Sequence, residues 1–164
     1  MSRTTGTVVL DAHDEDGQGS IPTGSETAEE SASARLFTAR HDGQVDHVDL
    51  CGRRQSDTAP LHVRIMETPG GVPGGATIMD ETIPASSIAP GPANAWFSVR
   101  ASTVGRLAAG TTYALVVSAT SGTAREFPRW GANQNEPIEQ LLCFRGRWSR
   151  QLMNGAFRIW VETD

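Results

Sequence analysis

Along much of the chain, apolar residues recur at every second position. Leu61, Val63 and Ile65 alternate with His62, Arg64 and Met66, and Phe157, Ile159 and Val161 alternate with Arg158, Trp160 and Glu162. Successive side chains of a strand point to opposite faces, so each run predicts a strand with one buried face. Short apolar segments of this kind predict strands over Arg35–Ala39, Val45–Cys51, Leu61–Glu67, Thr77–Ile83, Trp96–Ala101, Thr112–Ala119, Arg129–Ala132, Leu141–Arg145 and Ala156–Glu162. The intervening "TPGGVPGGA", "APGPANA", "VGRLAAGT" and "SATSGT" are dense in Gly, Pro or Asn, which suit tight turns and break helices. No window has the spacing of an amphipathic helix. Many short strands with frequent turns predict an antiparallel sandwich or barrel.

The N-terminal part reads differently. "TTGTVVL" has the pattern of a short strand, but residues 11–34 are polar, small and acidic with a single Ile. That composition predicts an extended arm over residues 1–30, with the folded domain occupying 31–164. Within the arm, Thr4, Thr5, Thr7, Val8, Val9 and Leu10 are the residues expected to pair with a partner's sheet edge, where main-chain hydrogen bonds give affinity without a pocket.

A chain of 164 residues is one domain long and can bury a real core. All 14 basic residues are Arg, the formal net charge is -5, and no basic patch of the kind that binds phosphate is evident, which argues against nucleic acid. The N-terminus lacks the apolar h-region of a signal peptide, so synthesis in the cytoplasm without export is expected. No apolar run reaches the roughly 18 residues of a membrane span, and no membrane insertion is expected. Cys51 and Cys143 do not make a disulfide framework; buried free thiols are the expected state, a mutual disulfide the alternative.

The order "SARLFTA", "VDHVDLCGRR", "LHVRIMETPGGVPGGATI", "IPASSI", "AWFSVRA", "LAAGTTYALVVSA", "RWG", "GRWSRQLMNGAFRIWV" resembles a jelly-roll β-sandwich module of bacterial surface proteins and bacteriophage structural (decoration and tail) proteins. The resemblance covers about residues 33–162. It implies an all-β, two-sheet antiparallel sandwich of jelly-roll type, and binding or display rather than one reaction. It also implies packing roles for Trp96 and Trp148. Asn154 and Gly155 stand where the family tends to have Asp and Leu, and "FPRWGANQNEPIEQLLCF" replaces its aromatic, Gly-rich stretch.

Candidate chemistry is sparse. In "LAAGTTYALVVSA", Gly110 suits a turn and Tyr113 begins a strand; with no acid or base nearby in sequence, Tyr113 reads as a packed residue. His47, Asp49 and Cys51 share one strand face, and His62 could lie on a neighbouring strand, yet a zinc site would need ligands the sequence does not supply. In "DAHDEDGQGS", taking Gly17 as the glycine of a calcium loop puts Ala12 and Thr23 at its first and last ligand positions, so the carboxylates are missing. Nucleophile elbows, phosphate-binding loops and triad patterns are absent, so no catalytic residue, metal or cofactor is expected. Trp130 and Trp160 are the expected exposed aromatics, with Asn133, Gln134 and Asn135 as polar readers of a sugar and Arg158 as an interface anchor.

The resulting expectation is a non-enzymatic structural or binding subunit of a larger particle, such as a bacteriophage head decoration or tail-associated protein displayed on a virion. Its partners would be other structural proteins of the particle and further copies of itself. The alternative is a carbohydrate-binding module recognising a cell-surface glycan.

Overall fold

The computed structural model describes residues 6–13, 19–24, 26, 30–54, 59–120, 128–133, 139–151 and 153–163. In chain order the strands are β1 (Gly6–His13), β2 (Gly19–Pro22), β3 (Ala32–Thr38), β4 (Gly43–Arg53), β5 (Leu61–Glu67), β6 (Thr77–Ile83) and β7 (Ala95–Arg100). They continue as β8 (Arg106–Leu107), β9 (Thr112–Ala119), β10 (Arg129–Asn133), β11 (Gln140–Phe144), β12 (Arg147–Arg150), β13 (Asn154–Gly155) and β14 (Phe157–Thr163). The expected all-β antiparallel sandwich forms: one sheet has eight strands and the other six, in the order β12-β11-β3-β9-β5-β6. Among the described residues the helical content is two short 3-10 turns, Pro69–Gly71 and Ala85–Ser87.

In the first sheet β4 is the central strand. Its Gln44–Leu50 stretch pairs with β14 and its His47–Gly52 stretch with β7, while β8 and β10 pair with its two ends. The inward side chains of the two sheets make the main core, including Val48, Leu50, Phe157, Ile159 and Val161 from one and Phe37, Leu61, Val63, Ile65, Leu115 and Val117 from the other. Phe37 sits at the centre, its ring 5.9 Å from Tyr113 and 6.1 Å from Phe157. The alternation expected in β5 and β14 is seen directly in their burial, with inward residues buried and outward ones half-buried or exposed.

The stretch ending in Tyr113 is a latched turn. Gly110 adopts φ 80, a left-handed conformation that costs Gly little, and donates its N–H to Ala39 O at 2.7 Å. Ala108 N donates to the Tyr113 hydroxyl at 3.0 Å, so a buried phenol is satisfied by the loop that precedes its own strand. Cys51 and Cys143 are both buried free thiols, on β4 of one sheet and β11 of the other.

Two expectations are corrected. The segment set aside as an arm is paired within the chain: β1, which contains Thr7, Val8, Val9 and Leu10, lies along β14, and β2 lies along β10. Pairing there covers an edge of β14 that would otherwise present bare backbone groups. Thr4 and Thr5 lie outside the described residues, as do residues 14–18 of the acidic stretch. Second, Trp130 is 2% exposed rather than at the surface, its Nε1 donating to Ala156 O at 2.8 Å. β9 is buried on both faces from Tyr113 to Ala119.

Trp130 lies flat against Gly155: a Cβ on Gly155 would stand 2.3 Å from the Trp130 Cε2. The departure from the family pattern at Gly155 therefore makes room for the indole. Trp130→Ala is expected to cost about 3–5 kcal/mol, the range for removing a large buried aromatic. Gly155→Ala, which drives a methyl into the ring, should lower the melting temperature in the same direction. Thermal unfolding followed by circular dichroism checks both, and an unchanged midpoint for either would contradict this packing.

Candidate functional site

The outer face of the six-stranded sheet is organised by register. Trp148 on β12 faces Cys143 on β11, which faces Ala32 on β3. Extending the β3–β9 ladder one residue beyond Ser33↔Val117 puts Ala32 opposite Ser118, which faces His62 on β5. The neighbouring row runs Arg150, Leu141, Ala34, Val116, Arg64, Asp80 across the same six strands. The middle of this face is made of small or short side chains. Ala32, Ala34, Ala114, Val116, Leu141 and Cys143 form a second buried cluster, with Leu36, Met66 and Trp148 packed against it. Small residues at the centre and long ones at both flanks produce a trough, which is why β9 has no solvent face.

A cleft of about 300 Å³ opens in this trough, lined by Glu26, Glu30, Ser31, Ala32, His62, Arg64, Cys143 and Trp148. Glu26 reaches it because Glu26 N donates to Ala119 O at 3.0 Å, while Ala119 N donates to Gly24 O at 2.9 Å. Those bonds hold the segment across the end of β9. At the other side, the Cys143 thiol approaches Glu30 O at 3.8 Å, which sets Glu30 beside β11.

Charged groups concentrate at the β5 end. One oxygen of Glu26 receives the Ser118 hydroxyl at 2.5 Å and faces His62 Nδ1 at 2.6 Å, with Arg64 Nη2 at 3.8 Å. The opposite ring nitrogen, His62 Nε2, faces Asp80 Oδ1 at 2.6 Å. Both imidazole–carboxylate bonds can form together only when the ring has a proton on each nitrogen. Partial burial by itself would raise the Glu26 carboxyl. The hydrogen bonds from Ser118 and His62 and the positive charges of His62 and Arg64 outweigh it, so the carboxyl lies below its ordinary value. Arg64 Nε is buried with no hydrogen-bond partner, a donor left over in the lining.

The groups lining the cleft are a buried hydroxyl, a thiol, an imidazole, a guanidinium and carboxylates. Ser118 donates its hydroxyl to Glu26 at 2.5 Å and is fully buried, with the carboxylate lying between it and the cleft. Burial pushes the Cys143 thiol up, against the backbone hydrogen bond from Gly146 and together with the nearby Glu30 charge, and away from the thiolate form that reacts. Among the described residues no group of three or more His, Cys, Asp or Glu is arranged to hold a metal ion. His47 and Asp49 do share a face, but Cys51 is 1% exposed and His62 belongs to the other sheet, so the four residues considered for zinc do not meet.

The residues expected from sequence to bind lie elsewhere. Arg158 and Trp160 are on the outer face of the eight-stranded sheet, where Trp160 stacks on His47 (5.3 Å between centroids, 13° between planes) and donates Nε1 to Asp49 at 2.8 Å. Arg158 lies over Trp96, 4.1 Å from the ring centroid, and Ser98 donates to Asp49 at 2.5 Å. On this face each indole already has a partner against one of its surfaces. Trp96, given a packing role by the resemblance, is 36% exposed. Asn133 ends β10, and Gln134 and Asn135 lie outside the described residues. Glu26, His62, Arg64, Ser118 and Trp148 were not singled out as a site. The period-two pattern put His62 and Arg64 on one outward face, but nothing linear joined them to Glu26 or Trp148.

Because the folded Glu26 carboxyl titrates below its unfolded value of about 4.5, its ion pairs stabilise the fold above that pH and lose that effect as pH falls through the folded value. The wild-type chain should therefore melt above the Glu26→Gln variant near neutrality, with the gap closing under acid. Other carboxylates titrate in both chains, so the difference isolates this one; a gap that did not change with pH would exclude the effect.

No protein-family model and no curated protein matches the sequence. In fold the chain is similar to Cwp84, a surface layer associated protein of Clostridium difficile. Against the crystal structure of its cysteine protease and lectin-like domains the TM-score is 0.57 with 13% identity, over 82% of this chain and 32% of that one. Against the clostridial protease after propeptide cleavage the TM-score is 0.62 with 12% identity, over 100% of this chain and 41% of that one. The chain spans less than half the length of either, and the likeness, at this identity, is one of fold: an all-β two-sheet sandwich similar to part of a bacterial surface protein.

Proposed function

We propose that this chain is a non-enzymatic carbohydrate-binding module that seats a saccharide in the cleft between Trp148 and the His62–Arg64 pair. The observation carrying this reading is the cleft's lining: an indole at one end, charged hydrogen-bonding groups at the other, and a floor of small side chains between them. Sugar rings offer apolar C–H faces to aromatic rings and hydroxyls to charged groups, and concave sites of this size with a few placed polar groups suit small ligands. The fold likeness lends support, since a sandwich covering about a third of a chain that holds a protease and a lectin-like domain corresponds best to the lectin-like one. Both of the structures named above are of a surface layer associated protein, which favours the glycan reading over that of a virion subunit.

The width of the trough sets the ligand size. Four strand spacings separate β12 from β5, about 19 Å between strand axes, and the Trp148 and Arg64 side chains occupy part of that span. One or two sugar rings fit. A glycan array should show binding by the wild-type chain, lost by at least tenfold in Trp148→Ala and retained in Trp160→Ala. Loss confined to Trp160→Ala would move the site to the opposite sheet.

A further inference from the structure

The donors at the β5 end converge on a single carboxylate oxygen. His62 Nδ1, Ser118 Oγ and Arg64 Nη2 all face Glu26 Oε1, at 2.6, 2.5 and 3.8 Å. His62, Arg64 and Ser118 belong to adjacent strands β5 and β9, so their relative positions are set by the sheet. Glu26 instead comes from the connection leading into β3. Asp80 fixes the far side of the imidazole at 2.6 Å, turning Nδ1 toward the cleft, and the 3.8 Å Arg64 contact with the unpartnered Nε leaves the guanidinium only loosely engaged. A planar guanidinium can make two parallel bonds to a carboxylate when geometry permits. Here its resident partner does not take that geometry.

We infer that His62, Arg64 and Ser118 form a carboxylate-recognition subsite for an acidic sugar, a uronic acid residue, whose carboxylate replaces that of Glu26. This rests on the carbohydrate-binding reading of the same cleft and specifies its ligand. The cleft is asymmetric in the required sense. The cationic donors lie at the β5 end, and Trp148 lies at the other, beside Glu30, whose carboxylate can accept hydroxyl protons. A uronate bound in this orientation places its charge on Arg64 and His62 and its ring face toward the indole. Glu26 competes for the same donors, so it lowers affinity for acidic sugars while leaving neutral ones nearly unaffected.

Isothermal titration calorimetry with a digalacturonate and its neutral galactose counterpart tests this on the full chain. Wild type should prefer the digalacturonate. Glu26→Ala should bind it at least tenfold more tightly than wild type, with little change for the neutral disaccharide. Glu26→Gln, closer in shape, should move the same way and guards against a folding effect, which circular dichroism monitors. Adding Arg64→Gln to Glu26→Ala should abolish the gain. Equal affinity for both disaccharides in every chain, or a gain for both alike, would overturn the acidic-sugar inference and leave the carbohydrate reading standing. Absence of any saccharide binding, acidic or neutral, in wild type and variants would overturn both.

Discussion

The register of the six-stranded sheet constrains everything built on it, because the side-chain period of a strand is two and a slip of one residue would exchange its faces. With Leu61 opposite Ala119 and Ile65 opposite Leu115, the apolar half of β5 enters the core. The same pairing necessarily sets His62 beside Ser118 and Arg64 beside Val116 on the other side. Core packing thus positions the candidate site: residues that never touch the core are aligned by those that do.

The two outer faces of the sandwich differ in how their polar groups are satisfied. On the eight-stranded sheet, Asp49 is shared by Ser98 and Trp160, and the indoles rest against His47 and Arg158. That face is closed on itself. On the six-stranded sheet the centre is filled by alanines and a valine, the long side chains stand at the flanks, and a cleft remains between them. Charge enters that cleft from a connection and from β5, and the depressed Glu26 carboxyl reflects how strongly its donors favour an anion there.

Much of the sandwich was legible in the chain. The bounds expected for β5, β6 and β9 match those observed, because alternation and flanking turn residues both mark them. β12 was not expected, since "RWSR" has no apolar alternation; it forms as the return of a hairpin turned by Arg145 (φ 49) and Gly146 (φ 76). Trp130 was misplaced for a related reason. Its polar neighbours suggested a surface loop, whereas β10 lies between β4 and β2 and Gly155 leaves space for the indole.

By itself the sequence determined the class of fold, the faces of its strongest strands and the turn ahead of Tyr113. These follow from local period, turn chemistry and residue type, all carried within a few positions of the chain. Only the tertiary structure decided which face has a cleft, that β1 pairs with β14, and that Glu26 meets His62 and Ser118. Those outcomes depend on strand order and register between segments far apart in sequence, and no local pattern encodes them.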